Sequence, residues 1–383
     1  MINPEYNGIL AVAFLFLGLG AVSRAAEPPR AKKVPYKLEK HGQVRVDDYY
    51  WLKERGNPEV TAYLKAENEY TEAVFRPLEP LREKLFNELK ARIKQDDSTV
   101  PFKYGGYYYY KTFKAGKEYP VYARKKGSPD APEEVVLDVN ELAAGKGFCD
   151  VRFPVIRPDH KMIAYAMDTG GRRFYDVYFK DLESGKVYGE KIERTAGNLA
   201  WANDNRTLFY VKQHPETLRW ERVLAHELGA ARDREVYHEA DETFEVGISR
   251  SATEKYIFIR TGATLSTEYL LIDADAPGAA PVLFAPRSPK LEYDVEDGGE
   301  KFYILNNDKA RNFKLSVCPS SDTSRASWRD LVPHRDETLL ENLQVFSDWF
   351  ILLERADALG RLHVFNRVTG LDSYVDFNEP AYL

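Results

Sequence analysis

The sequence predicts a mainly β protein, an incomplete β-propeller of about six blades preceded by a segment of two helices. Two observations carry this. Hydrophobic spacing is helical only between residues 57 and 93 and strand-like from about Val100 onward. In that second part a short apolar strand behind a turn recurs at KMIAY (161–165), RTLFY (206–210), KYIFI (255–259), KFYIL (301–305) and DWFIL (348–352), at steps of 45, 49, 46 and 47 residues. An earlier beat, GYYYY (106–110), precedes the first by 55 residues. Units of about 40 to 50 residues built from short antiparallel strands are the signature of propeller blades, because one such sheet cannot bury both faces until neighbours stack on it.

The elements follow in chain order. Residues 9–22 (ILAVAFLFLGLGAV) form an uncharged apolar run too short to span a bilayer comfortably, and Ser23-Arg24-Ala25 then Ala26 supplies small residues for cleavage. We expect residues 1–25 to be a signal peptide and the protein to be exported, periplasmic or secreted. The leader carries Glu5 and no Lys or Arg, which leaves a membrane anchor or a cytoplasmic protein as the alternative. Nothing later in the chain predicts a membrane span.

Residues 26–99 read as an extended connector and a helical segment. Glu27 to Lys40 is rich in Pro and Lys. Asn57 is a good N-cap, with Pro58 at the first helical position and Glu59 in the first turn. Val60, Tyr63, Leu64, Tyr70 and Val74 share a face of the first helix. Pro77 and Pro80 start a second, whose stripe is Leu78, Leu81, Leu85, Leu89 and Ile93. Both stripes, and the run Tyr49-Tyr50-Trp51 before them, need a partner surface.

Residues 100–383 are assigned to the blades. Each beat is followed by a further strand: PVYARK (120–125), YDVYFKDL (175–182), RVLAHEL (222–228), EYLLID (268–273), FKLSVC (313–318) and RLHVFN (361–366). RPDHK (157–161) and ANDNR (202–206) place Asp and Asn where tight reversals need them.

Composition limits function. A net charge of −6 and mean hydropathy of −0.50 fit a soluble globular chain and give no basic surface for nucleic acid. Cys149 and Cys318 read as small buried residues, with one long-range disulfide as the other option. No G-x-S-x-G motif appears; Gly127-Ser128-Pro129 lacks the second glycine. His41, His160, His214, His226, His238, His334 and His363 are scattered singly and read as surface or strand-edge residues. Gln95-Asp96-Asp97-Ser98 reads as a solvated loop, and Asp273-Ala274-Asp275-Ala276-Pro277-Gly278 as a turn without the ligand set of a calcium loop. Glu292, Asp294, Glu296 and Asp297 alternate in strand register; they read as an exposed edge, with a carboxylate pair for glycoside chemistry as the alternative. No catalytic, cofactor-binding or metal-ligating residue is assigned.

The stretch VRVDDYYWLKERGNPEVTAYLKAENEYTEAVF (44–75) resembles the N-terminal signature of the prolyl oligopeptidase family of serine peptidases. DDYYWL followed by NPEV and YLKAEN is similar to its oligopeptidase B branch, as are LAWANDNRTLFYV (199–211), NFKLSVCP (312–319), LVPHRDETLLEN (331–342) and VDFNEPAYL (375–383). The resemblance implies a seven-bladed propeller that admits only short peptides to an α/β-hydrolase domain, with the early helices packed on that domain. Oligopeptide substrates, cleaved after Lys or Arg, and the hydrolase domain would be the partners. This sequence supplies about six blades and no counterpart of the serine, aspartate and histidine. The expectation is therefore a propeller region without the α/β-hydrolase domain, inactive alone and poorly soluble for want of its partner surface. A stand-alone exported propeller that binds peptides or a partner protein is the alternative reading.

Overall fold

The computed structural model describes residues 27–382, so the expected signal peptide lies outside the described residues. The chain divides into two compact units, residues 1–94 and 95–383.

The first unit holds a hairpin that the sequence reading placed within an extended connector. Tyr36–Lys40 pairs antiparallel with Gln43–Asp47. The turn is His41-Gly42, with φ of 55° and 72°. Two successive left-handed residues match the right-handed twist of a hairpin, and glycine adopts one of them at no steric cost. The aromatic run then packs on this hairpin: Tyr50 stacks on Tyr36 with ring centroids 4.1 Å apart, and the Trp51 indole donates to the Lys32 carbonyl. Part of the surface assigned to a later domain is thus used locally.

Helix α1 (Pro58–Phe75) starts where expected, with the Asn57 side chain accepting from the Glu59 amide. Helix α2 (Glu79–Ala91) follows through a 3₁₀ turn, Arg76–Leu78, so the backbone stays helical from Pro58 to Ala91. Pro77 and Pro80 each sit near a helix start, where the missing N–H would be unpaired anyway. Leu81, Leu85 and Leu89 on α2 are each about half exposed.

The second unit is six antiparallel sheets in succession. In blade 1, Asp97–Ser98 and Phe102–Tyr104 both pair with Tyr107–Phe113, followed by Val121–Lys126 and Glu133–Asp138. The acidic stretch at 95–98 is therefore part strand rather than wholly loop. Blade 2 is Asp150–Ile156, Met162–Asp168, Tyr175–Asp181 and Val187–Thr195, and blade 3 is Leu199–Trp201, Thr207–Gln213, Trp220–Glu227 and Arg234–His238. Blade 4 runs Glu245–Arg250, Tyr256–Ala263, Ser266–Asp273 and Val282–Leu283. Blade 5 runs Tyr293–Asp297, Lys301–Asn306, Lys314–Pro319 and Arg329–Val332. Blade 6 is Leu339–Val345, Trp349–Ala356, Leu359–Asn366 and Asp372–Tyr374.

The recurring beat in the sequence is the second strand of each blade. In blades 2 to 5 that strand has a sheet neighbour on each side and a stacked blade against both faces, so residues of both parities are buried, as throughout Met162–Asp168. The turns leading into it use a left-handed residue: His160, Asn205, Glu254 and Gly299 all have positive φ. The fourth strands of blades 3 to 6 are short and largely exposed.

Five apolar cores join the blades in order. Tyr109, Leu137 and Tyr165 belong to the core between blades 1 and 2; Phe179, Trp201 and Tyr210 to that of blades 2 and 3; Phe209, Val223, Ile248 and Ile257 to that of blades 3 and 4. Phe258, Tyr293 and Phe302 join blades 4 and 5, and Leu305, Leu343 and Leu352 join blades 5 and 6. No such core joins blades 6 and 1 among the described residues. Arginines reinforce several seams. Arg124 donates to the His160 carbonyl at 2.7 Å, Arg250 to the Asn203 side chain at 2.7 Å and Arg367 to the Gly298 carbonyl at 2.7 Å.

Cys149 and Cys318 are buried and free, in blades 2 and 5, which removes the disulfide option.

Candidate functional site

First strands of successive blades meet one another, blade 2 with 3, 3 with 4 and 5 with 6, and so form the inner wall. Along blades 4 to 6 this wall encloses a cavity of about 280 Å³ lined by Ser249, Arg250, Tyr269, Asp294, Glu296, Glu341 and Asn342, among others. Strand alternation explains the set. Asp294 and Glu296 are two apart on blade 5, while their neighbours Tyr293, Val295 and Asp297 turn into the core.

The carboxylates differ in what answers them. Asp294 accepts from Arg260 Nε at 3.1 Å and from the Tyr269 hydroxyl at 2.8 Å. Glu341 takes both its bonds from Arg355, at 2.7 and 3.1 Å. Arg250 is held by Asn203 and by Glu254 at 3.1 Å. Glu296 has no hydrogen bond or ion pair among the described residues. Burial, with the charges of Asp294 and Asp297 adding, pushes its carboxyl up to about 7. Asp297 is fully buried, accepting from Ser251 Oγ at 3.0 Å, from Thr253 and from the Gly299 amide at 2.9 Å. It ties blade 5 to the turn of blade 4.

This corrects the reading of Glu292, Asp294, Glu296 and Asp297 as a solvated edge. Glu292 bonds the side chain of Asn307 at 3.1 Å, and only Asp294 of the four is exposed. A glycosidase pair does not emerge either, since Asp294 and Glu341 are each engaged by an arginine and Asp297 faces the core. Among the described residues no group of acidic, His and Cys side chains could hold a metal ion.

Three histidines also depart from the surface reading. His226 is buried with Nδ1 2.7 Å from Asp233 and Nε2 3.0 Å from Glu190. His363 is buried with Nδ1 2.9 Å from Glu354 and Nε2 2.6 Å from Asp372. His160 lies against the rings of Tyr104, Tyr107 and Tyr109, and burial with the neighbouring Arg124 charge holds it below the ordinary histidine range. Each clamps strands of one blade or two adjacent blades. Among the described residues no serine hydroxyl bonds a histidine; Ser128 accepts from the Asp130 amide within its own turn. Asp273 likewise caps its turn by accepting from the Asp275 amide.

The order of blades, the inner wall and the helices before them coincide with one known domain. The prolyl oligopeptidase N-terminal β-propeller domain matches residues 28–382. The chain belongs to the prolyl oligopeptidase family. Among curated relatives, this family member is 42% identical to dipeptidyl aminopeptidase BI of Pseudoxanthomonas mexicana, over 94% of this chain and 53% of that protein. It is 33% identical to protease 2 of Moraxella lacunata, over 92% of this chain and 52% of that protein. Oligopeptidase B from Leishmania major superposes with a TM-score of 0.86 at 28% identity, over 93% of this chain and 54% of that one. The chain thus spans about half the length of the relatives it matches, the propeller half. Among the described residues no helix is long and apolar enough to cross a membrane.

Proposed function

We propose that this propeller is the substrate gate of a serine-type peptidase that hydrolyses short peptides after Lys or Arg. The observation that carries the reading is the family match over residues 28–382, with six blades stacked in order. The inner wall does not decide the preference: Asp294, Glu296 and Glu341 share one cavity, but Arg250 lines it as well and Arg260 and Arg355 answer Asp294 and Glu341. The 42% relative is named for dipeptidyl aminopeptidase activity and supports a second reading, release of dipeptides from a free N-terminus.

One experiment separates them. An antibody against this chain should deplete from extracts of its source a fluorophosphonate-labelled serine hydrolase that cleaves fluorogenic Arg-amide peptides. Cleavage of N-terminally blocked peptides supports the endopeptidase reading; cleavage of free dipeptidyl substrates alone replaces it with the second. Retention of all the activity in the depleted extract rejects both. The 383 residues alone should hydrolyse neither substrate, because acyl transfer needs a serine activated by histidine and no such pair forms among the described residues. For export, also proposed, the check is N-terminal sequencing of the mature protein, which should begin near residue 26.

A further inference from the structure

We propose that the seam between blades 1 and 2 is a binding pocket for a small amphipathic carboxylate, an apolar body ending in a free carboxyl group. A cleft of about 550 Å³ opens there. Ligand sites span roughly 300 to 1,000 Å³ and are mostly apolar with a few polar groups that set orientation. The cleft's inner surface is Ala123, Val136 and Ile163, all buried, and its rim is aromatic and cationic.

The rim shows unusual features. Phe102 is 61% exposed and stacks on Tyr109 with centroids 5.8 Å apart. Opposite it, the first strand of blade 2 slips register between Arg152 and Val155. The bulge puts Phe153 at φ 45°, a left-handed conformation that strains a non-glycine residue. Phe153 stays 47% exposed instead of entering the core. Two half-exposed rings beside an apolar cleft are surface that a ligand would cover.

The charge at the mouth selects the ligand's head. Lys111 lines the cleft, lies 5.3 Å from the Tyr122 ring and has no carboxylate partner among the described residues. Arg152 also lines the cleft, but its guanidinium is already engaged, with Nε on Asp150 at 3.0 Å and its carbon 5.1 Å from the Tyr175 ring, so Lys111 is the cation open to a ligand. Two other cavities of this unit differ in kind: one collects Asp294, Glu296 and Glu341 beside Arg250, another Glu221, Glu242 and Glu245 beside Arg219. An apolar wall under an unpaired ammonium fits a carboxylate attached to an alkyl or aryl group.

The test titrates the full 383-residue chain by calorimetry at low salt with decanoate, decanol and decyltrimethylammonium, which share a chain and differ in head charge. We expect decanoate to bind at one per chain, decanol more weakly and the cation weakest. Lys111→Gln, at an exposed position, should weaken decanoate by about fivefold and leave decanol unchanged. Ala123→Leu should fill the cleft and abolish both, with circular dichroism confirming the fold. Leu85→Lys with Leu89→Lys on α2 should leave decanoate binding intact. Equal binding of decanoate and the cation, indifference to Lys111→Gln, loss through the α2 changes, or one ligand per two chains, which would seat a second copy in the cleft, would each overturn the assignment.

Discussion

Asp294 and Glu341 each face an arginine, whereas Glu296 shares their cavity with no partner, and this difference sets how the inner wall responds to pH. An acid whose folded pKa is raised binds its proton more readily in the native state than in the unfolded chain. Stability is then fullest below the ordinary glutamate range and falls as pH rises through about 7, the value to which Glu296 is pushed. Glu296→Gln removes that dependence. The variant should match the parent at pH 4 and be more stable at pH 8, by up to about 3 kcal/mol and less for the water the cavity admits. Urea melts at the two pH values check this; equal stability of the two proteins at pH 8 would show the carboxyl to be solvated. Little of this was legible in the sequence. The alternation of Glu292, Asp294 and Glu296 announced a shared face, but Arg260 and Arg355 reach that face from other strands and blades. The clamped histidines were hidden for the same reason: His226 meets Glu190 across 36 residues, and no local spacing reports it.

At the scale of elements, the second strands were readable because burial on both faces leaves an unbroken apolar run, as in Met162–Asp168. The fourth strands were not, since Val282–Leu283 and Asp372–Tyr374 are short, exposed and carry no pattern. The early hairpin was missed although His41-Gly42 between two alternating stretches is a usable turn signal. Seams between blades depend on contacts of still longer range. Arg367, in the last turn of blade 6, donates to the Gly298, Phe346 and Ser347 carbonyls and to the Tyr303 hydroxyl. A Cβ at Gly298 would lie 2.5 Å from the Tyr303 ring and 2.8 Å from Arg367, so only glycine permits this approach. Arg367→Met should cost about 2–4 kcal/mol, because it leaves carbonyls and a hydroxyl without their donor while retaining the stem's packing. A loss below about 0.5 kcal/mol in a denaturant melt would show that water replaces the guanidinium. On α2 the opposite holds. Leu85→Lys with Leu89→Lys should change stability by less than about 1 kcal/mol, since both side chains are half exposed, and should reduce self-association seen by light scattering.

For the molecule as a whole, the order of the cores governs how it comes apart. Blades 2 to 5 each share a core with a neighbour on both sides, whereas blades 1 and 6 each share only one among the described residues. When each repeat is stabilised by its nearest neighbours, units with one neighbour open at lower free energy than those with two. The core between blades 3 and 4 draws on both second strands, through Phe209, Val211, Ile257 and Ile259, all fully buried. The seam between blades 1 and 2, by contrast, carries the 550 Å³ cleft and its strained bulge. Hydrogen exchange under native conditions should therefore rank the second strands. Amides of Thr207–Gln213 and Tyr256–Ala263 should exchange last, and those of Tyr107–Phe113 and Trp349–Ala356 first. The profile separates two physical accounts. Graded protection means that each seam stabilises only the blades it joins, so that Arg367→Met would speed exchange in blade 6 and leave blade 3 unchanged. Equal protection in all six second strands, falling together on that same substitution, would mean that the unit opens in one step and that its seams are coupled around the whole array.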